Sequence, residues 1–431
     1  MPHSRCNATT CPAPLAAIAK CYKGQDGVGA FYWIAIPTQW NQVLVVHAHG
    51  GPELGAPRAE RTEEDLKRWA VTVKAGYAWV GSTYRRGGYG VTVAAEDTER
   101  VRQIFVQHVG QPRRTLLHGQ SYGGGVASKA IELFATSHTS HNGKSPYDGV
   151  LLTSAVLGGG AVAYNFRLDL RVVYQYICQN HPKADEPAYP LWMGLPKGAT
   201  LSRAELAQRV DDCTGLRLPP AQRSAAQQQR LSDILNVVKI PERSLLGHLN
   251  WATWLFEDLV QHRLQGRNPF ENEAVVYKGS SNDAALNQGV LRYAADPAAV
   301  ALLAADSQPT GRLPVPTLTL HATHDPTAFV ELESNYRDVV ERVGGKFAHH
   351  DGGVEDNASV LDANLAAADL VICQTGCISH NAYWRVKDFC KRTGKRCVFV
   401  ENPSASSLER GLAQIAIPKP APDVLMPDCL L

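Results

Sequence analysis

The stretch Leu116-Leu117-His118-Gly119-Gln120-Ser121-Tyr122-Gly123-Gly124-Gly125 constrains the fold of this chain more than any other. Leu116 and Leu117 close a short apolar run that reads as a buried strand, and the residues from Val126 to Phe134 carry helical periodicity. A strand that passes into a helix within so few residues must turn sharply, and glycine lets the two elements approach closely. Gly119-x-Ser121-x-Gly123 is the pattern of a nucleophile elbow, in which a serine hydroxyl stands above the edge of a sheet. Glycine and serine also make ordinary turns. A strand signal before the motif and a helix signal after it separate the two readings.

The residues ahead of this turn alternate between strand and helix. A β-hairpin is predicted over 21–37, turning at Gly24-Gln25-Asp26-Gly27. Gln42-Val43-Leu44-Val45-Val46-His47-Ala48 is an apolar, β-branched run of the kind buried on both faces. It ends in His49-Gly50-Gly51-Pro52, where backbone N–H groups are free to face an anion, as an oxyanion hole requires. A helix is predicted over 62–75, with Thr62 as its cap and Glu63, Glu64 and Asp65 in the first turn. A strand over 77–82, a loop over 85–90 that would border the site, a helix over 93–109 and a strand over 149–154 follow. This alternation indicates an α/β protein with a parallel sheet covered on both faces.

Alternation stops over 157–312, where helical segments are predicted at 203–210, 222–238 and 244–263, with irregular loop over 268–287. Such an insert reads as a helical lid that shapes an apolar acyl- or alcohol-binding pocket. The parallel pattern resumes at Pro316-Thr317-Leu318-Thr319-Leu320-His321 and ends in His324-Asp325-Pro326, before a helix over 331–341. A carboxylate beyond a strand end, on the same sheet edge as Ser121, is placed to orient a catalytic histidine, whereas Asp325 as a turn-former is the plainer alternative.

Composition narrows the function classes. The chain has 431 residues with 43 basic and 41 acidic side chains, a net charge of +2, so nothing points to nucleic acid or to an anionic membrane. No stretch reaches the length of a membrane span. Met1-Pro2-His3-Ser4-Arg5-Cys6 lacks the apolar core of a signal peptide, so the chain as written is expected in the cytoplasm, and secretion follows if its start is incomplete. The cysteines argue for the second case: Cys6, Cys11 and Cys21 cluster, and Cys178 and Cys213 flank a helical segment, as disulfides in an oxidising compartment would. Cys373-x-x-x-Cys377-x-x-His380, with Cys390 or Cys397, has metal-ligand character, but buried cysteines of a small α/β unit are the preferred reading. Gly158-Gly159-Gly160 is followed by no P-loop lysine. No metal and no cofactor are expected, and the sequence sets no oligomeric state.

Residues 20–340 resemble an α/β-hydrolase, on His49-Gly50-Gly51, Gly119-x-Ser121-Tyr122-Gly123-Gly124 and the strand leading to Asp325, in the order of that family. The resemblance implies Ser121 as nucleophile, Asp325 as the triad acid, and the Tyr122 N–H with that of Gly50 or Gly51 as oxyanion donors. Ser-Tyr-Gly-Gly also resembles prolyl-oligopeptidase-type peptidases, but no propeller repeat is present and an esterase is preferred. The family order places the histidine after Asp325, where His349, His350 and His380 stand, and His350 in Phe347-Ala348-His349-His350-Asp351-Gly352 is the first choice.

Residues 332–414 also resemble a bacterial family, domain of unknown function 2325. The matching features are His350-Asp351-Gly352-Gly353-x-Glu355, Ala368-Asp369-Leu370-Val371-Ile372-Cys373, Ser379-His380-x-Ala382-Tyr383 and Val386-Lys387-x-x-Cys390-Lys391. This resemblance implies a small Rossmann-like unit, with strands at Phe347, 370–374 and 396–401 and helices over 382–393 and 406–415. The expected organisation is thus an α/β-hydrolase domain over 1–331, with its lid over 157–312, fused to a Rossmann-like domain over 332–431. The expected activity is cleavage of a small-molecule carboxylic ester through an acyl-enzyme. A short-peptide serine peptidase, or a non-catalytic binding protein on a hydrolase scaffold, are the alternatives.

Overall fold

The computed structural model describes residues 6–135, 145–347, 358–367, 370–374 and 380–400. Eight strands form one sheet in the order β1-β2-β3-β5-β4-β6-β7-β8. They are β1 (Asn7–Thr9), β2 (Ala19–Gln25), β3 (Phe31–Pro37), β4 (Val43–Ala48), β5 (Ala78–Ser82), β6 (Arg114–Gln120), β7 (Gly149–Thr153) and β8 (Thr317–Leu320). The pairs β1–β2, β2–β3 and β3–β5 are antiparallel. From β5 onward, through β4, β6 and β7 to β8, all pairs are parallel. The expected α/β class is therefore borne out, with an antiparallel flank at the N-terminal edge.

The helices cover the sheet because β4 and β5 are apolar on both sides. Leu44, Val46 and Ala48 join the main core with α3 (Val91–His108) and α4 (Tyr122–Phe134). Trp33 and Trp79 pack on the opposite face with Leu66 of α1 (Ala59–Arg68) and Ala70 and Val73 of α2 (Ala70–Lys74). That second core is stapled by the Cys11–Cys21 disulfide. On β8, Leu318 and Leu320 are 57% and 50% exposed, while Thr319 turns inward to hydrogen-bond Glu333.

Between β7 and β8 lies the helical insert: α5 (Gly159–Tyr164), α6 (Phe166–Cys178), α7 (Arg203–Thr214), α8 (Ala225–Val238), α9 (Leu245–Asn250), α10 (Asp283–Gly289) and α11 (Pro297–Ser307). Local chemistry fixes several starts. Ser202 and Ser224 each close a capping box with a residue three positions on, and Asp296 caps α11 ahead of Pro297. The Cys178–Cys213 disulfide ties α6 to α7. Beyond β8 follows α12 (Glu331–Arg342).

Several predicted boundaries need correction. The helix expected over 62–75 starts at Ala59, so Thr62 is an interior, fully buried residue and not a cap. Arg61 holds the added turn through Glu53 at 3.0 Å and Asp65 at 3.4 Å. The hairpin turn lies at Asp26–Ala30, two residues later than expected, because Asp26 Oδ1 accepts from the N–H groups of Val28 and Ala30. The helix expected over 244–263 becomes α9 followed by wider π-helical turns at Trp251–Leu255 and Asp258–Arg263. The loop expected over 268–287 contains the start of α10, capped by Asn282. The sequence pattern did not reveal α5, α6 or α11.

In the C-terminal stretch, β9 (Leu370–Gln374) and β10 (Arg396–Val400) pair in parallel around α14 (His380–Thr393), preceded by α13 (Ala358–Ala367). This is the expected strand–helix–strand unit, with its own small core of Leu361, Leu365, Val371, Cys373, Ala382, Val386 and Cys390. The strand expected at Phe347 is absent at that residue, and the helix expected over 406–415 lies outside the described residues.

Candidate active site

Ser121 occupies the turn between β6, at the centre of the parallel strands, and α4. Its backbone stands at φ 54° and ψ −123°, a conformation that costs a non-glycine residue about 1–3 kcal/mol. Three backbone bonds hold it there. The Ser121 N–H donates to the Thr153 carbonyl at 3.0 Å, and its own carbonyl accepts from Gly124 at 2.9 Å and Val156 at 3.0 Å. The residue is half-buried. Tyr122 is the first residue of α4, where helix geometry leaves the N–H without an intrahelical acceptor.

The motif glycines are explained by contact distance. A Cβ on Gly123 would stand 2.5 Å from the His49 carbonyl oxygen, and one on Gly119 would stand 2.7 Å from the Gly123 carbonyl carbon. The helix start is thus pressed against the end of β4. Gly50 lies over the same turn, its Cβ position 3.5 Å from Ser121 Cβ.

The loop after β4 is anchored by its carbonyls. Tyr84 Oη donates to the His49 carbonyl at 3.1 Å, and Arg61 Nη2 donates to the Gly50 carbonyl at 3.2 Å. In a trans peptide the C=O and the following N–H point in opposite directions. Fixing the carbonyls of His49 and Gly50 therefore fixes the N–H groups of Gly50 and Gly51 on the opposite side from Tyr84 and Arg61. Gly51 has φ 74°, and nothing stands within 4 Å of its Cβ position. His49 stacks on Tyr84 at 4.1 Å, and burial pushes its imidazole down to about 4, so it is neutral at pH 7.

The loop over 85–90 lies against the loop after β4 and against Tyr122, whose Oη accepts from the Gly90 N–H at 3.1 Å. The Gly88 N–H donates to the Glu53 carbonyl at 2.6 Å. The insert grips the same loop, with Asp258 accepting from the Tyr89 N–H at 3.1 Å and Arg263 donating to the Gly87 carbonyl at 2.7 Å.

Asp325 lies in the loop after β8, one strand beyond β7 on the sheet edge that carries Ser121. Its Oδ1 accepts from the N–H groups of Thr327 at 2.8 Å and Ala328 at 2.9 Å, which are the contacts of a turn-former. His349 and His350 lie outside the described residues, as do Cys377 and the side chain of His380. Among the described residues no imidazole hydrogen-bonds Ser121 or Asp325. His47 and His118 pair at 3.0 Å beneath the sheet. His321 is held by Glu333 at 2.8 Å and the Ala328 carbonyl at 2.7 Å. Two features were not legible in the sequence. His248 of α9 bonds the Pro326 carbonyl at 2.8 Å, and Arg167 of α6 is buried beside it. No group of metal-ligating side chains is assembled among the described residues. No described helix is long and apolar enough to cross a membrane.

Residues 329–415 match a family described as an uncharacterized protein conserved in bacteria, DUF2325. The solved structures that the chain resembles include the rice cell wall degrading esterase LipA from Xanthomonas oryzae, 16% identical over 83% of this chain and 92% of that one, with a TM-score of 0.38. An esterase from the bacterial hormone-sensitive lipase family is 20% identical over 34% of this chain and 48% of that one, with a TM-score of 0.26. No curated protein matches the chain in sequence.

Proposed function

We propose that the chain is a serine hydrolase that cleaves a carboxylic ester through an acyl-enzyme. The observation that carries this reading is Ser121, held at positive φ on a sharp turn at the C-terminal end of the central strand, with the Gly50–Gly51 backbone laid over it. In this reading Ser121 Oγ attacks the ester carbonyl, and the N–H of Tyr122, with that of Gly50 or Gly51, holds the oxyanion. A histidine beyond β8 accepts the serine proton and returns it to the leaving alcohol, with His350 the first choice on sequence order. Asp325, whose Oδ1 accepts from the Thr327 and Ala328 N–H groups, would orient that imidazole through Oδ2. In this reading the residues over 157–312 form the lid, and the chain divides into domains at 331/332. No cofactor enters the reaction.

The substrate is a small ester rather than a polymer of charge, in line with the net charge of +2. The disulfides Cys11–Cys21 and Cys178–Cys213 support assembly of the hydrolase part in an oxidising compartment.

Pre-steady-state hydrolysis of an aryl acetate beside an aminoacyl anilide tests the proposal. A burst of phenol that disappears in Ser121→Ala, with no anilide cleavage, is the expected result. Faster anilide cleavage would make the protein a peptidase. No turnover of either by folded protein would leave a binding protein on a hydrolase scaffold.

A further inference from the structure

The insert contains two arginines of α6, Arg167 and Arg171, with 1% and 0% of their surface exposed. Neither meets a carboxylate among the described residues. Arg167 makes one weak bond, from Nη1 to the Ala163 carbonyl at 3.4 Å, and its Nε has no partner. Arg171 donates to Tyr189 Oη at 3.3 Å and leaves Nε and Nη1 without partners. Even half-buried arginines elsewhere are neutralised, Arg102 by Glu99 at 2.6 Å and Arg223 by Glu242. An isolated guanidinium in dry surroundings is costly unless a counter-charge completes it.

The position of Arg167 shows where that charge would come from. The Val156 N–H donates to the Ser121 carbonyl at 3.0 Å, so the segment leading into α5 and α6 starts at the serine turn itself. Ring contacts then run from Tyr122 to Tyr89 at 5.6 Å, Tyr89 to Tyr164 at 5.5 Å and Tyr164 to Trp251 at 4.1 Å. Arg167 lies at the end of this run, 4.6 Å from the Trp251 ring and 4.5 Å from that of Phe166. From the other side, Phe166 meets Phe329 in a tilted contact at 4.7 Å, and His248 beside it bonds the Pro326 carbonyl, next to Asp325. Arg167 thus stands between the turn of Ser121 and the loop of Asp325. Rings stabilise the flat faces of a guanidinium, whose N–H edge pairs best with a planar acceptor.

We propose that Arg167 binds a carboxylate carried by the ester substrate, so that the preferred substrate is an ester with a second, ionised carboxyl group. The inference rests on the hydrolase reading of Ser121. A single negative charge matches the single guanidinium edge, and Arg171 one helical turn further on adds positive potential. Burial pushes the Arg167 guanidinium down to about 10, which leaves it charged at neutral pH.

Two matched ester pairs test this on the full chain: para-acetoxybenzoate against para-acetoxybenzamide, with the charge on the alcohol side, and monomethyl adipate against methyl adipamate, with the charge on the acyl side. The expected result is a kcat/KM ratio of about 100 in favour of the acid in one pair. That ratio should fall at least about tenfold in Arg167→Met, mainly through KM, and be partly restored in Arg167→Lys. A ratio scores recognition even where a variant is generally impaired. Ratios near one in both wild-type pairs, or a ratio unchanged by Arg167→Met, overturn the proposal. Absence of all hydrolysis instead removes the hydrolase reading. Calorimetry of the Ser121→Ala chain with para-hydroxybenzoate, para-hydroxybenzamide and adipate then decides the anion site separately. Binding of an acid that is lost in Ser121→Ala/Arg167→Met supports it, and binding of none of the acids overturns it.

Discussion

Replacing Gly123 with alanine tests how closely the serine turn is packed. The new methyl would stand 2.5 Å from the His49 carbonyl oxygen and 2.7 Å from the Ala48 carbonyl carbon. Ordinary contact begins near 3.4 Å, so α4 and the end of β4 must separate by about 1 Å. The Ala48 carbonyl belongs to β4 and the His49 carbonyl is tied by Tyr84 Oη, so neither swings aside freely. Overpacking a rigid site costs roughly 1–3 kcal/mol, and this one belongs at the upper end, about 3 kcal/mol. At about 2–4 °C per kcal/mol, the melting temperature should fall by about 6 °C or more. The same shift moves Ser121 away from the Gly50 backbone, and a 1 Å misplacement costs about 100-fold in rate. The assay is a far-UV melt together with the rate of aryl acetate hydrolysis. Gly247→Ala in α9 provides the contrast: no atom stands within 4 Å of its Cβ position, so alanine should stabilise by about 0.5–1 kcal/mol. If Gly123→Ala melts within about 1 °C of the parent and hydrolyses at the same rate, the helix is not pressed onto the strand and the reasoning fails.

The Cys178–Cys213 bond closes 35 residues, so replacing both cysteines with serine should cost up to about 4 kcal/mol by loop entropy, read from urea midpoints. An unchanged midpoint would mean the bridge does not form. Burial, with Arg167 nearby, pushes the His248 imidazole down to about 4, against about 6.5 when unfolded. The unfolded chain therefore takes up this proton first as pH falls. Relative to His248→Gln, the wild type should lose up to about 3 kcal/mol between pH 6.5 and 4, with no difference in slope above pH 6.5. Parallel stability curves throughout would contradict a neutral buried imidazole. In the hydrolase reading His350→Ala should lower kcat by at least about 1,000-fold while His349→Ala stays within about tenfold. Unchanged rates in both would remove each from the triad.

The parts legible in the sequence share one property: their signal is local. The apolar run of β4, the glycines around Ser121 and the strand before Asp325 each state a backbone requirement in a few adjacent residues. The capping serines of α7 and α8 are local signals too: Ser224 starts α8 at Ala225, three residues after the start that periodicity alone predicts. Thr62 shows the converse, since an N-cap residue type lost to ion pairs that Arg61 makes with Glu53 and Asp65. α6 places Arg167 and Arg171 among its buried residues, where charge is not expected from sequence. Their burial depends on Trp251 and Tyr189, which no local window connects to them. The contact of His248 with the Asp325 loop is equally non-local, spanning 78 residues.

The central claim is that Ser121 is a nucleophile activated by its surroundings. Treating the full chain with a fluorophosphonate and mapping the adduct by mass spectrometry tests it most directly. One adduct per chain is expected, on the Ser121 hydroxyl and absent from Ser121→Ala. Folded protein that stays unlabelled, or that carries the adduct on another serine, would contradict it.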